Sequence, residues 1–200
     1  MNKILEEKTE QWMTLERKTL EQRKIADQFY EEEMMEYIVK EYINNNKAKL
    51  KEKAKYLIVS VGTSYEPIVL NISLLKPEKI LFLYTDQSEE ILDKVMGFCH
   101  LKMSQVEKSK VNETNQTDIY REIKHCYLEW GKPEKIYIDF TGGTKAMSTA
   151  AAMAGAMIHV QMIYVGTNQY MRDFRKPLPG SEILFYINSP MDVFGDLEID

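Results

Sequence analysis

KIYIDFTGGTKAMSTAAAMAGAM (residues 135–157) is the stretch on which the fold turns. KIYIDF (135–140) reads as a buried parallel strand, because strands covered on both faces become near-continuous apolar runs. TGGTK (141–145) breaks the run. AMSTAAAMAGAM (146–157) then reads as a helix that is small and apolar nearly all round, and therefore buried close against a sheet. A strand, a glycine turn and a buried helix in succession are the unit of an open α/β sheet.

The same alternation continues on both sides. Upstream, YLIVSV (56–61) is a short apolar run ending at Gly62, and Glu66-Pro67 opens a helix, proline being suited to the first turn. KILFLYT (79–85) is a second buried strand. DQSEEILDKVMGF (86–98) is a helix whose early acids complement the positive end of its dipole. LKMSQVE (101–107) is a weaker strand candidate. The polar segment SKVNETNQT (109–117) leads into the helix DIYREIKHCYLEW (118–130), stopped by Gly131, Lys132 and Pro133. Downstream, VQMIYVG (160–166) and EILFYI (182–187) are strands separated by the loop NQYMRDFRKPLPG (168–180). The reading is an α/β fold: an open, mostly parallel sheet with helices on both faces.

Residues 1–46 differ in kind. They hold no glycine or proline, and Trp12/Leu15, Ile25/Phe29 and Met34/Ile38/Tyr42 recur at helical spacing. One or two helices are expected, with the apolar stripe packed against the domain's own sheet rather than turned toward a partner. Glu31, Glu32 and Glu33 read as a solvated face. Lys47, Lys49, Lys51, Lys53 and Lys55 alternate through a solubilising linker. The expected division is therefore a helical segment and Lys-rich linker at 1–55, followed by a ligand-binding domain at 56–200.

Composition narrows the function. Apolar residues make up 44 % and charged residues 28 % of the chain, a globular balance. Residues 1–55 carry 12 basic and 12 acidic side chains, and the remainder 14 and 19. A net-acidic domain is a poor non-specific binder of duplex nucleic acid, so any phosphate would be held by backbone N–H groups, helix ends and a few placed cations. No apolar run is long enough for a membrane span, and the first residues are too acidic for a targeting peptide. A cytoplasmic location is expected.

In an open α/β sheet, ligands bind outside the carboxyl ends of the strands, where the strand order reverses. Gly62-Thr63-Ser64, Thr85 with Gln87, Thr141-Gly142-Gly143-Thr144-Lys145, and Gly166-Thr167-Asn168 all fall at such ends. The paired glycines of the third segment allow a sharp turn. The following helix then aims its free N–H groups above the strand, with hydroxyls from Thr141 and Thr144 and a cation from Lys145. The Walker pattern is lacking, since Lys145 follows a threonine. The dinucleotide fingerprint is lacking too, since Gly62 has no glycine two or five residues on. Asp139 sits inside a strand and reads as a core or edge residue rather than a base. His100, His125 and His159 lie in unrelated elements and read as structural. Cys99 and Cys126 each neighbour a histidine, but CxxC and HxxxH spacings are missing, so neither a metal nor another cofactor is expected.

The assembled segments resemble the CARF family, the CRISPR-associated Rossmann fold. The matching residues are LIVSVGTSYEPIV (57–69), ILFLYTDQSEEI (80–91), IYIDFTGGTKAMSTAAAMAG (136–155) and MIYVGTNQY (162–170), with PLPGSEILFYINSPMDVFGDLE (177–198) closing the domain. The resemblance implies a Rossmann-like six-stranded domain that forms a homodimer. It further implies binding of cyclic tetra- or hexa-adenylate over the two-fold, a second messenger of type III CRISPR antiviral defence. The implied ligand positions are Gly62, Thr63, Ser64, Thr141, Gly142, Gly143, Thr144, Lys145 and Met147, with Thr85, Gln87, Thr167 and Asn168 on the rim. An even-numbered ring can share the symmetry of a two-fold interface. Relatives usually continue into an effector domain, whereas this chain stops at Asp200, so the effector is expected in a longer chain or a separate partner. Two other readings stay open. The domain can cut the ring through positioning and charge stabilisation by Thr63, Ser64, Thr144 and Lys145. Alternatively, Asp86 after the second strand can hold a ribose in a small-molecule transferase, since fold alone does not fix function.

Overall fold

The computed structural model describes residues 2–188, so residues 189–198 of the resemblance lie outside the described residues. The chain forms two compact units, each built from two pieces of sequence.

Among the described residues the larger unit comprises 50–165 and 184–188. Its strands are β1 (Tyr56–Ser60), β2 (Lys79–Tyr84), β3 (Val106–Lys110), β4 (Ile136–Asp139) and the greater parts of β5 (Gln161–Thr167) and β8 (Glu182–Ile187). The sheet order is β3-β2-β1-β4-β5-β8. The β1–β2, β2–β3, β1–β4 and β4–β5 pairs are all parallel. The order runs outward from β1 in one direction and from β4 in the other, so the switch point lies between them.

Residues of alternate parity explain the helices on each side. Ile58, Leu81, Leu83, Ile136 and Ile138 form one cluster with α6 (Gln116–Glu129) and α7 (Lys145–Met157). Their neighbours Leu57, Val59, Ile80, Phe82 and Tyr137 are buried as well, which is why these strands read as unbroken apolar runs. α4 (Glu66–Leu75) and α5 (Glu89–Phe98) complete the unit. Asn115 caps α6 by accepting from the Thr117 N–H at 3.2 Å. Ala150, Ala151 and Ala154 of α7 are buried in the core cluster, the packing expected of a helix of small residues.

β3 corrects the expectation of a strand at 101–107. Residues 103–105 form a 3-10 turn, and the strand is the polar VEKSK. Among the described residues it is an edge strand, half-buried to exposed along its length, so it carries no apolar run to be recognised.

The second unit comprises residues 1–49 and 166–183. It holds α1 (Lys3–Thr14), α2 (Leu20–Phe29) and α3 (Met35–Asn46), with a π-helical turn over Tyr30–Met34 joining the last two. The π turn is a bulge inside one helical run over 20–46, so this segment forms two runs, 3–14 and 20–46, in line with the expected one or two. Thr19 and Gln22 form a reciprocal capping box that restarts the helix after residue 18. The stripe read from spacing is largely internal: Trp12, Met34, Ile38 and Tyr42 are buried, although Ile25 is exposed. Part of the expected loop 168–180 is an antiparallel hairpin, β6 (Tyr170–Met171) with β7 (Lys176–Pro177). Its turn places Phe174 against Trp12, centroids 4.9 Å apart.

Candidate functional site

At the switch point the tips of β1 and β4 meet backbone to backbone. A Cβ on Gly62 would lie 2.5 Å from the Gly143 nitrogen, and one on Gly142 would lie 2.4 Å from the Ser60 carbonyl oxygen. Only glycine allows this approach. Gly143 also has φ +85°, the left-handed region. Two hydroxyls fix the loop: Ser60 and Ser148 both donate to the Gly142 carbonyl, at 2.7 and 2.9 Å. Thr144 then caps α7, its hydroxyl oxygen accepting from the Met147 N–H at 3.3 Å. The N–H groups of the next two residues have no acceptor one turn back within the helix, and Lys145, the first helical residue, is exposed. The tip therefore offers peptide N–H groups, a helix N-terminus and an ammonium, which is chemistry suited to a phosphate.

Beneath the loop lies a buried polar network. Asp139 is fully buried and accepts from the Thr141 N–H at 2.9 Å, the Thr141 hydroxyl at 2.5 Å and Asn71 Nδ2 at 2.8 Å. The Thr141 hydroxyl oxygen in turn accepts from the Val165 N–H at 2.8 Å. Burial pushes the Asp139 carboxyl above the usual carboxylate range, opposed by the hydrogen bonds from Thr141 and Asn71.

The other positions named from sequence separate into groups. Thr63 and Ser64 follow Gly62 and are exposed, as is Gln87. Thr85 is buried; its N–H donates to Ser88 Oγ at 3.0 Å and its hydroxyl lies 3.3 Å from the same atom, so it caps its own turn. Met147 is buried in the core cluster and supports Gly143 from below. Thr167 and Asn168 belong to the second unit, where the Thr167 hydroxyl pairs with Ser181 Oγ at 2.7 Å.

Sequence reasoning missed three groups. Lys110, at the end of β3, pairs with Asp86 and lies 3.9 Å from Glu89. Lys94 stands 4.1 Å from the Tyr65 ring centroid, just after the β1 tip. Asn71 had one legible sign, a lone amide inside the apolar helix EPIVLNISLL.

Among the described residues no group of three or more His, Cys, Asp or Glu side chains stands together to hold a metal, and no helix is long and apolar enough to cross a membrane. Both cysteines are free thiols. Burial pushes Cys99 up to about 12 and raises Cys126 as well, with Glu107 adding to the latter, so neither is poised as a nucleophile.

Strand order and strand-tip geometry together define a doubly wound α/β domain of the Rossmann class. Within that class the chain belongs to the CARF family: the model of the Card1 CARF domain matches residues 67–179. The CRISPR system endoribonuclease Csm6 of Thermus thermophilus is 28 % identical over 144 residues, covering 70 % of this chain and 30 % of that protein. The chain thus spans less than a third of the length of this curated relative. Among solved structures, Can2 from Sulfobacillus thermosulfidooxidans in complex with cyclic tetra-adenylate superposes with a TM-score of 0.50 at 19 % identity, over 56 % of this chain and 32 % of that one. This is a likeness of fold. Csm6 of Enterococcus italicus, bound to cyclic hexa-2'-fluoro-hexa-dAMP, aligns more loosely, with a TM-score of 0.44 at 17 % identity over 58 % of this chain and 35 % of that one.

Proposed function

We propose that the chain is a cyclic oligoadenylate sensor of type III CRISPR antiviral defence. In this reading it binds cyclic tetra- or hexa-adenylate across a homodimer in the cytoplasm and controls an effector, in the same longer chain or in a partner. The binding function is assigned to residues 56–200. The observation that carries the reading is the Gly62–Gly142 backbone contact at the switch point, which opens the N-terminus of α7 with Lys145 at its mouth. Membership of the CARF family and the cyclic tetra-adenylate bound by Can2 support it.

The dimer has its own support. The helix that starts at the strand tips also exposes Met153 (55 %) and Met157 (79 %). These flank a groove of about 330 Å³ between α6 and α7, lined by Tyr120, Ile123, Lys124, Ala154 and Ile158. A two-fold axis beside α7 would cover this apolar face and bring two helix mouths to one ring. Ring binding biases the effector only if the ring prefers one dimer arrangement over another.

Titration calorimetry of the chain with cyclic tetra- and hexa-adenylate tests the reading. Heat of binding with one of them is expected, and silence with both ends it. Chromatography of the ring after incubation separates a sensor from a ring nuclease: linear products would assign cleavage to the groups at Thr63, Ser64, Thr144 and Lys145. Lys145→Ala is expected to weaken binding by about 1–3 kcal/mol, the worth of a charge-assisted hydrogen bond. The loss should shrink as salt rises, since Lys145 is exposed. An unchanged dissociation constant at low salt removes Lys145 from the site.

A further inference from the structure

We propose that Asn71 and Asp139 are positioning residues that act on the strand-tip loop through Thr141, and that Thr141 itself does not touch the ligand. The proposal rests on the strand tips being the ligand site, and it concerns how that site is held in shape.

The pair is expensive to bury. Asn71 lies on α4 and Asp139 at the end of β4, and both have no exposed surface. A buried amide or carboxyl costs stability unless its hydrogen bonds are made. Asn71 meets part of that demand by donating to Asp139 Oδ2 at 2.8 Å. The other carboxylate oxygen takes both Thr141 donors, the N–H at 2.9 Å and the hydroxyl at 2.5 Å. Three converging donors are what an acceptor-only, ionised carboxylate satisfies.

Thr141 is thereby committed. Its single hydroxyl hydrogen goes to Asp139, and its oxygen accepts from the Val165 N–H at 2.8 Å. No hydrogen is left to donate to a ligand oxygen. What Thr141 controls is the path of the next residues, because it ties the start of the loop to the ends of β4 and β5. Gly142 follows directly, with its carbonyl gripped by Ser60 and Ser148. The direction in which the N–H groups from Gly143 onward point is therefore set one layer below the ligand by a helix–strand hydrogen bond.

The test pairs variants that remove a bond with variants that restore it. Thr141→Val removes both hydroxyl bonds at near-constant volume, and Thr141→Ser keeps them. Asn71→Asp places two carboxylates together, whereas the reciprocal double change Asn71→Asp with Asp139→Asn restores an amide–carboxylate pair in the opposite order. Each protein is assayed for amide hydrogen exchange over 141–147 and for ring affinity by calorimetry, with the thermal midpoint as a check on folding. Thr141→Val is expected to speed exchange over the loop and weaken binding about tenfold or more, the scale of one buried hydrogen bond. Thr141→Ser is expected to match the parent in both, and the double change to recover what Asn71→Asp loses. If the Asn71 variants do not fold, the Thr141 pair decides. Weakened binding in Thr141→Val with unchanged loop exchange would make Thr141 a direct contact and overturn the proposal. Unchanged exchange and binding in Thr141→Val, or a Thr141→Ser protein as impaired as Thr141→Val, would overturn it equally. If the parent chain binds no ring, the sensor reading fails while loop exchange alone still decides whether Thr141 holds the loop.

Discussion

Gly142→Ala is expected to abolish measurable binding of cyclic tetra- and hexa-adenylate and to destabilise the sheet-bearing unit. The added Cβ would sit 2.4 Å from the Ser60 carbonyl oxygen and 2.9 Å from the Gly62 nitrogen. Both are backbone atoms in the neighbouring strand and its loop, so no side-chain rotation relieves the clash. Either the TGG loop lifts away from β1 or the two strand tips part. Overpacking of this kind costs about 1–3 kcal/mol. For a chain of this size that is roughly 2–4 °C of thermal midpoint per kcal/mol. Binding should suffer more than stability, because a displaced loop re-aims every N–H group at the mouth of α7, and misplacing preorganised donors forfeits their combined contribution. Gly97→Ala is the control. It lies within α5 with nothing within 4 Å of its would-be Cβ, so it should leave binding unchanged and gain about 0.5–1 kcal/mol of helix stability. Calorimetry and thermal denaturation of the two variants check both statements. A Gly142→Ala protein with parental affinity would show that the loop is not the site.

Trp12→Ala is expected to unfold the helical unit, at a cost of about 3–5 kcal/mol. Trp12 is 2 % exposed, and its indole N–H donates to the Ala26 carbonyl at 3.0 Å. The ring lies 5.2 Å from that of Tyr30 and 4.9 Å from that of Phe174. The Arg17 guanidinium packs 4.5 Å from it, where burial lowers the arginine's pKa from its ordinary value. One side chain thus joins α1, α2 and the hairpin turn, and its removal leaves a cavity and takes one of two donors from the Ala26 carbonyl, which keeps the Tyr30 N–H. Loss of amide protection across residues 3–46, followed by hydrogen exchange, is the measurement. Leu20→Ala, at a side chain 71 % exposed, should change stability by no more than about 0.5 kcal/mol. Retained protection in Trp12→Ala would mean that the helices are held by something other than this cluster.

Legibility in the sequence followed burial. β1, β2 and β4 are covered on both faces, so their apolar runs mark them with boundaries accurate to about one residue. β3 is an edge strand reading VEKSK, and β6 and β7 are only two residues each. None of the three carries a periodicity long enough to be recognised. The N-terminal helices showed the right spacing, but their break depended on the Thr19–Gln22 cap, which an otherwise continuous helical pattern concealed.

The site divides in the same way. By itself the sequence determined where the backbone must turn sharply: paired glycines after an apolar strand specify a tight turn within a few residues. Only the tertiary structure decided which polar groups remain available above that turn. It spent Thr85 on its own turn and Thr141 on Asp139, drew Met147 into the core, and brought Asn71 from 68 residues away to hold Asp139. The physical reason is range. Conformational strain is a property of adjacent residues, whereas a hydrogen bond is satisfied by whichever partner the folded chain brings near.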